Sequence, residues 1–389
     1  MRGIILKVYF DNAATTKVHP QVFEKMIPFL NEEYGNPSSI HSFGRKVRVA
    51  IEEARETAAE FINADPSEIY FVSNGTEANN FPILGIAKTV FSESTKNEII
   101  TSTVEHASVL ESFEELSKLG FSVKIIDVTN DCVVDQKILQ SQISSETSLV
   151  SLIHVNNETG AVNNIEKFSE FIRDKDIYLH TDAVQSFGKI DLDVKKMGID
   201  SLSASAHKLH GPKGIGLVYA KAGTPLSPMI LGGSQERNRR GGTEFTAGII
   251  GFAEAIQTAK KEMEENFDKV NRLKNYFING IEQSSLQNYS INCKESPFPF
   301  ILSLTFNSDY YKNDSEAMLM FLDINGIAAS NGAACTSGTL KPSHVIMNMG
   351  KSKEDASGTI RFSFSANNTI KEIDYTIEKL ELMTKKFRK

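Results

Sequence analysis

The run Ser201-Leu-Ser-Ala-Ser-Ala-His-Lys-Leu-His-Gly-Pro-Lys-Gly-Ile-Gly216 sets Lys208 between small residues and a Gly-Pro-Lys-Gly turn. Small side chains leave room for a flat group beside the lysine. The turn, and the apolar run Ile215-Gly-Leu-Val-Tyr-Ala220 that follows it, hold the amine on a short, rigid connection. An amine so placed suits the capture of an aldehyde cofactor as a Schiff base. A solvated lysine beside a turn reads the same in isolation, so other segments must decide.

Four of them bear on it. Ile69-Tyr-Phe-Val-Ser-Asn-Gly-Thr76 reads as a strand running through Gly75 and Thr76 into a helix, and the free N–H groups of a helix start favour an anion such as phosphate. Thr76 is equally readable as a helix cap. Asp182 follows the apolar strand Ile177-Tyr-Leu-His-Thr181, where a buried acid can hold a pyridinium nitrogen protonated; a cap is again the competing reading. Gln185 shares its side if a helical turn follows. His106 stands at the junction of a strand and a helix, a place for either a structural or a catalytic imidazole. Cys335, in Ser330-Asn-Gly-Ala-Ala-Cys-Thr-Ser-Gly338, lies on a loop of small residues, as an accessible nucleophilic thiol requires. Cys132 and Cys293 have no such frame and read as structural.

Elements that position these residues follow from periodicity. Helical spacing marks 20–31, 45–61, 76–89, 106–119, 165–173, one long helix over 253–281, and 370–387. Strand-like runs occupy 8–10, 69–73, 98–101, 122–128, 148–155, 177–181, 201–205, 301–306 and 360–364. The βα alternation up to Gly251 predicts an α/β fold with a mostly parallel sheet and its site at one sheet edge. The long helix then hinges a large domain to a smaller one. A length of 389 residues accommodates both. A net charge of −7 argues against direct nucleic-acid binding, in spite of the local cluster Arg237, Arg239 and Arg240. Three scattered cysteines form neither a disulfide framework nor a metal set. No signal-peptide core or bilayer-length apolar run is present, so the expected location is cytoplasmic, with no membrane contact.

Read in order, Asp11-Asn-Ala-Ala-Thr-Thr16, Gly35-Asn-Pro37, Asn74-Gly-Thr-Glu77, Glu105-His106, Asn156-Asn-Glu-Thr-Gly160, Asp182-Ala-Val-Gln185, Ser205-Ala-His-Lys208, Gly211-Pro-Lys-Gly214, Glu236-Arg237, Arg240-Gly-Gly-Thr243 and Ile360-Arg-Phe-Ser363 resemble the cysteine desulfurase family. These are pyridoxal 5′-phosphate (PLP) enzymes of the class V aminotransferase group. Ala334-Cys-Thr-Ser337 resembles the subgroup with a long cysteine loop. The chain departs from the family pattern at Ser234, at Phe245 and over Phe364-Ser-Ala-Asn367.

The resemblance implies a fold-type I PLP-dependent transferase. Its large PLP-binding domain (18–255) is built on a mostly parallel seven-stranded sheet. A smaller C-terminal α+β domain (1–17 and 256–389) carries the catalytic cysteine loop. Lys208 is similar to the Schiff-base lysine, while Lys213 matches a different position. Asp182 pairs with the pyridine nitrogen, Gln185 and Asn157 bond the phenolic oxygen, and His106 stacks on the ring. Gly75, Thr76, Ser205 and His207 match phosphate-binding positions, and Thr243 reaches the phosphate from the neighbouring subunit of a homodimer. Arg361 grips the substrate carboxylate, with Asn36 assisting. The implied reaction turns L-cysteine into L-alanine, with a persulfide on Cys335 for a sulfur-acceptor protein, either an iron–sulfur scaffold or a thiolation enzyme. A selenocysteine lyase or another PLP-dependent aminotransferase or lyase, independent of Cys335, is the alternative. A non-catalytic scaffold for a sulfur-relay partner is a third.

Overall fold

A computed structural model of the chain describes residues 6–332 and 341–389. After a two-residue strand β1 (Val8–Tyr9) come seven strands of one sheet. They are β2 (Ile69–Val72), β3 (Glu98–Ser102), β4 (Ser122–Ile126), β5 (Thr147–Ile153), β6 (Tyr178–Asp182), β7 (Ser201–Ser205) and β8 (Gly216–Ala220). Their spatial order is β2-β8-β7-β6-β5-β3-β4. The pairs β3–β4, β3–β5, β5–β6 and β6–β7 are parallel, and β8 runs antiparallel to both its neighbours. The expected mostly parallel, seven-stranded α/β sheet is therefore what the chain forms.

Both faces of this sheet are covered, so its strands lose the apolar–polar alternation of a half-exposed sheet. Every residue of β5, β7 and β8 is buried. Successive side chains still diverge to opposite faces. Ile99 and Leu149 pack with the helices Gly75–Ser94 and Ala107–Lys118. Ile100 and Val150 pack with the helices Ser42–Phe61 and Ile165–Ile172 and with the start of Thr246–Gln283.

The long helix Thr246–Gln283 begins earlier than its periodicity predicts. In the added first turns, Gly248 and Gly251 each sit where a Cβ would collide, 2.3 Å from the Phe245 ring and 2.7 Å from Met26. They are glycines because the helix is closely packed there. Further along, Val270, Leu273, Phe277 and Ile281 of the same helix enter a second core with Phe10, Leu304 and Phe362. That core backs the antiparallel sheet of β9 (Tyr289–Asn292), β10 (Ile301–Phe306) and β12 (Thr359–Ser363), while β11 (Ile327–Ala328) pairs with β1. Strand β9 and the helices Gln136–Gln142 and Ser315–Ile324 are additional to the elements read from periodicity. No helix among the described residues is long and apolar enough to cross a membrane.

Candidate active site

The sheet's geometry collects the chemistry at the carboxyl edge of its parallel strands, the usual ligand crevice of an open α/β sheet. Asp182 and Ser205 are the last residues of β6 and β7. His106 follows β3, Asn157 follows β5, and Asn74, Gly75 and Thr76 follow β2. A cavity of ≈ 580 Å³ opens there, lined among others by Gly75, Thr76, His106, Asn157, Asp182, Gln185, His207, Lys208 and Arg361.

Lys208 ends a 3₁₀ turn, Ala206–Lys208, directly after β7. Its Nζ donates to the carbonyls of Ala13 (2.5 Å) and Ala14 (2.9 Å). Burial, with the Arg361 cation adding to it, pushes this amine down to about 8. The N-terminal segment that receives it is stitched to both sides. Ala13 N–H donates to Ser363 Oγ at 2.8 Å, and Thr16 N–H donates to the His207 carbonyl at 3.0 Å.

Asp182 is buried and accepts from Asn79 Nδ2 (2.7 Å) and the Val184 N–H (2.9 Å). Asn79 Nδ2 also donates to Ser108 Oγ (2.8 Å), which lies 2.8 Å from His106 Nδ1. His106 caps the helix Ala107–Lys118, its Nδ1 accepting from the Ser108 N–H at 3.1 Å. An accepting Nδ1 leaves the proton of the neutral ring on Nε2. Burial, with Lys208 and His344 reinforcing it against Asp182, lowers this histidine's pKa and favours its neutral form. His207 is pushed down to about 4 by burial and by Lys208.

Ser205 Oγ is buried without a hydrogen-bond partner among the described residues. It faces Gly75, where an added Cβ would stand 3.1 Å from Val184 Cγ2 and 3.4 Å from Ser205 Cβ. Opposite, Arg361 projects from β12, its Nη1 donating to the Asn157 carbonyl and its Nη2 to Asp11 Oδ1, both at 2.8 Å. Glu105 is fully buried beside His106, and desolvation raises its carboxyl to about 8. Glu158 accepts from Ser343 Oγ and abuts Gly332, so it touches both flanks of the segment 333–340.

Two expected residues do not join this cavity within one chain. Asn36 is exposed, and its Oδ1 accepts from the Ser38 N–H at 2.9 Å. Thr243 is exposed on a loop held by Arg240, whose Nε donates to Glu77 Oε1 at 3.0 Å. The arginine cluster is spent inside the chain, since Arg237 also pairs with Glu52. Cys335 lies outside the described residues. Of the other cysteines, Cys132 is buried with its pKa raised by desolvation, and Cys293 Sγ donates to the Asp131 carbonyl at 3.2 Å.

Sequence reasoning missed Asn79, Ser108 and also Lys189, whose Nζ lies 3.4 Å from Gln185 Oε1. Asn79 stands three residues after Thr76 on the same helix face, and Ser108 stands two after a cap residue, so spacing alone could have flagged both. Lys189 carries no such signal.

Residues 8–376 match the aminotransferase class-V family. A cysteine desulfurase IscS of Dictyoglomus turgidum is 44% identical over 98% of this chain and 95% of its own length. A putative cysteine desulfurase IscS 1 of Bacillus subtilis is 40% identical over 94% of this chain and 96% of its own. A solved NifS-like protein, 36% identical, superposes with a TM-score of 0.90 over 98% of this chain and 100% of that one.

Proposed function

The chain belongs to the class-V aminotransferase family, among its cysteine desulfurases, and from that premise we infer that it takes sulfur from L-cysteine with PLP held at Lys208. The observation that carries the site is Lys208 itself, an amine brought down to about 8 in one cavity with Asp182, His106 and Arg361.

The residues present fit the cofactor. Ser205 Oγ is a buried hydroxyl without a partner, Gly75 leaves open the space a Cβ would fill, and His207 is a neutral imidazole beside them. Gly75, Thr76, Ser205 and His207 would hold the phosphate, with Thr243 added from a second copy of the chain. Asp182 would face the pyridine nitrogen, Gln185 and Asn157 the phenolic oxygen, and His106 the ring. Bound there, the cofactor supplies an electron sink for bond changes at the amino acid's α-carbon.

The chain's own residues do the rest. Arg361 receives the substrate carboxylate; Asn36, exposed within one chain, would assist only if a second copy brought it to the cavity. Lys208 Nζ, its pKa brought down to about 8, removes the Cα proton and returns it. Cys335 takes the sulfur as a persulfide, the three-carbon remainder leaves as alanine, and the sulfur passes on to a scaffold or thiolation protein. A boundary near residue 255, with 1–17 joining the smaller C-terminal unit, accords with the separate cores along the long helix. Cytoplasmic location and a homodimer complete the reading.

A Cys335→Ser variant tests it. The purified variant should stay yellow and bind cysteine while forming no protein persulfide. Undiminished alanine and sulfide release from that variant overturns the role of Cys335.

A further inference from the structure

Behind Lys208 lies a second, smaller cavity of ≈ 60 Å³, which Lys208 and Lys189 both line. Lys189 is an odd residue to find there. No ion pair involves it among the described residues. Its Nζ instead sits 5.9 and 5.7 Å from the ring centres of Phe298 and Phe300, and donates to Gln185 Oε1 at 3.4 Å. The charged and titratable groups around it are Lys208, Arg361, His19, His207, His210 and Glu262. Apart from Glu262, none of these offers a negative charge.

The other end of Gln185 is equally constrained. Its Nε2 donates at 3.0 Å to the Ala13 carbonyl, the same oxygen that accepts from Lys208. A carbonyl can only accept, and a lysine ammonium can only donate. The two partners therefore fix the amide in one of its two orientations, with N–H toward the Lys208 cavity and oxygen toward Lys189. A reversed amide would offer its oxygen, which would repel another acceptor at the cavity face.

We propose that Lys189 is a positioning residue for the reaction: from behind the site it locks the Gln185 amide so that an N–H donor, and not an oxygen, is presented to the cofactor's phenolic oxygen. The proposal rests on the reading of Gln185 given above. Aromatic rings on the far side hold the amine, and no carboxylate is within ion-pair distance of it among the described residues. Burial and the Lys208 cation bring Lys189 down to about 7, so the ammonium that fixes the amide prevails below pH 7, and its retention opposes stability and calls for a role.

The test uses apoprotein titrated with PLP and read by absorbance, for wild type, Lys189→Met, Lys189→Arg, Gln185→Leu and the double variant Lys189→Met/Gln185→Leu. Lys189→Met should melt at or above the wild-type temperature at pH 6, because an apolar side chain of similar length replaces a desolvated amine. It should nevertheless bind PLP about tenfold more weakly, the loss of roughly one well-made hydrogen bond. Its bound-cofactor absorbance should also change with pH at a higher midpoint. Lys189→Arg should recover most of both effects. In the Gln185→Leu background, Lys189→Met should add almost nothing. A full additional loss in that background overturns the proposal, because Lys189 would then act without Gln185. Lowered melting temperature and weakened binding in equal measure for Met and Arg alike would also overturn it, as a merely structural role. A Gln185→Leu protein that binds and absorbs like wild type removes instead the reading of Gln185 beneath it.

Discussion

The amine of Lys208 should titrate far below an ordinary lysine even before any cofactor arrives, and this can be measured on the apoprotein. With its pKa at about 8, about 9% of the amine is neutral at pH 7, against about 0.04% for an ordinary lysine near 10.4. The nucleophilic fraction is thus raised about 200-fold, the result of burial first and of the Arg361 cation second. Competitive acetylation with trace anhydride at a series of pH values, read peptide by peptide in a mass spectrometer, gives the midpoint for Lys208 directly. The expected curve bends near pH 8. Replacing Arg361 by Gln removes a cation but leaves the burial, so the midpoint should move up while staying below that of an exposed lysine. Slow labelling from limited access lowers the plateau and leaves the midpoint in place. A Lys208 midpoint at 10 or above would refute the electrostatic argument. A midpoint unmoved by Arg361→Gln would remove the arginine from it.

Two other perturbations test the frame around the site. Arg55 and Glu236 form a buried two-pronged ion pair at 2.7 and 2.9 Å, and Glu236 also accepts from the Phe71 N–H, anchoring the arginine loop to β2. Glu236→Ala strands the Arg55 charge and should cost about 3–5 kcal/mol in urea unfolding, whereas Arg55→Met/Glu236→Met should cost less than the single change; the reverse order would contradict the assignment. Glu105 keeps its proton in the folded state up to about pH 8, while the unfolded chain releases it near 4.5. The stability linked to that group is present below pH 4.5 and lost as pH rises toward 8. Glu105→Gln, which mimics the protonated acid, should therefore gain on wild type by up to about 1.4 kcal/mol per pH unit between pH 5 and 8, with no gain below pH 4. Parallel stability curves for the two proteins would show the carboxyl to be ionised.

The site was legible where polar residues end buried strands. Asp182, Ser205 and His106 each interrupt or follow an apolar run, and a parallel sheet delivers all such ends to one edge. What stayed hidden depends on partners remote in sequence. Lys189 is one of many lysines in the chain until Phe298 and Phe300 fold over it. The helix turns before residue 253 stayed hidden because only the packed structure brings Phe245 and Met26 against Gly248 and Gly251. The helix Gln136–Gln142 buries just Leu139, too little to leave a periodic signature, although Asp135 caps it as its type predicts. Thr243 and Asn36 fall outside the cavity because nothing in one chain turns either of them toward it.

The electrostatics of the site belong to two cores at once. The large sheet supplies Lys208, His106 and Asp182, but the cation that helps depress Lys208 stands on β12, and β12 packs with Phe10 and the far half of the long helix. The carbonyls that hold Lys208 come from Ala13 and Ala14, whose segment hydrogen-bonds to Ser363 on one side and to His207 on the other. A displacement of the smaller sheet therefore moves Arg361 and these carbonyls together. Moving Arg361 away favours the ammonium less than burial disfavours it, so Lys208 stays depressed but less so. Losing the carbonyls takes away the acceptors of the charged form and pushes the other way. The two effects oppose each other, so a shift of the smaller sheet should move the Lys208 amine less than either effect would alone. Changing one without the other, as Arg361→Gln does, is what exposes the balance.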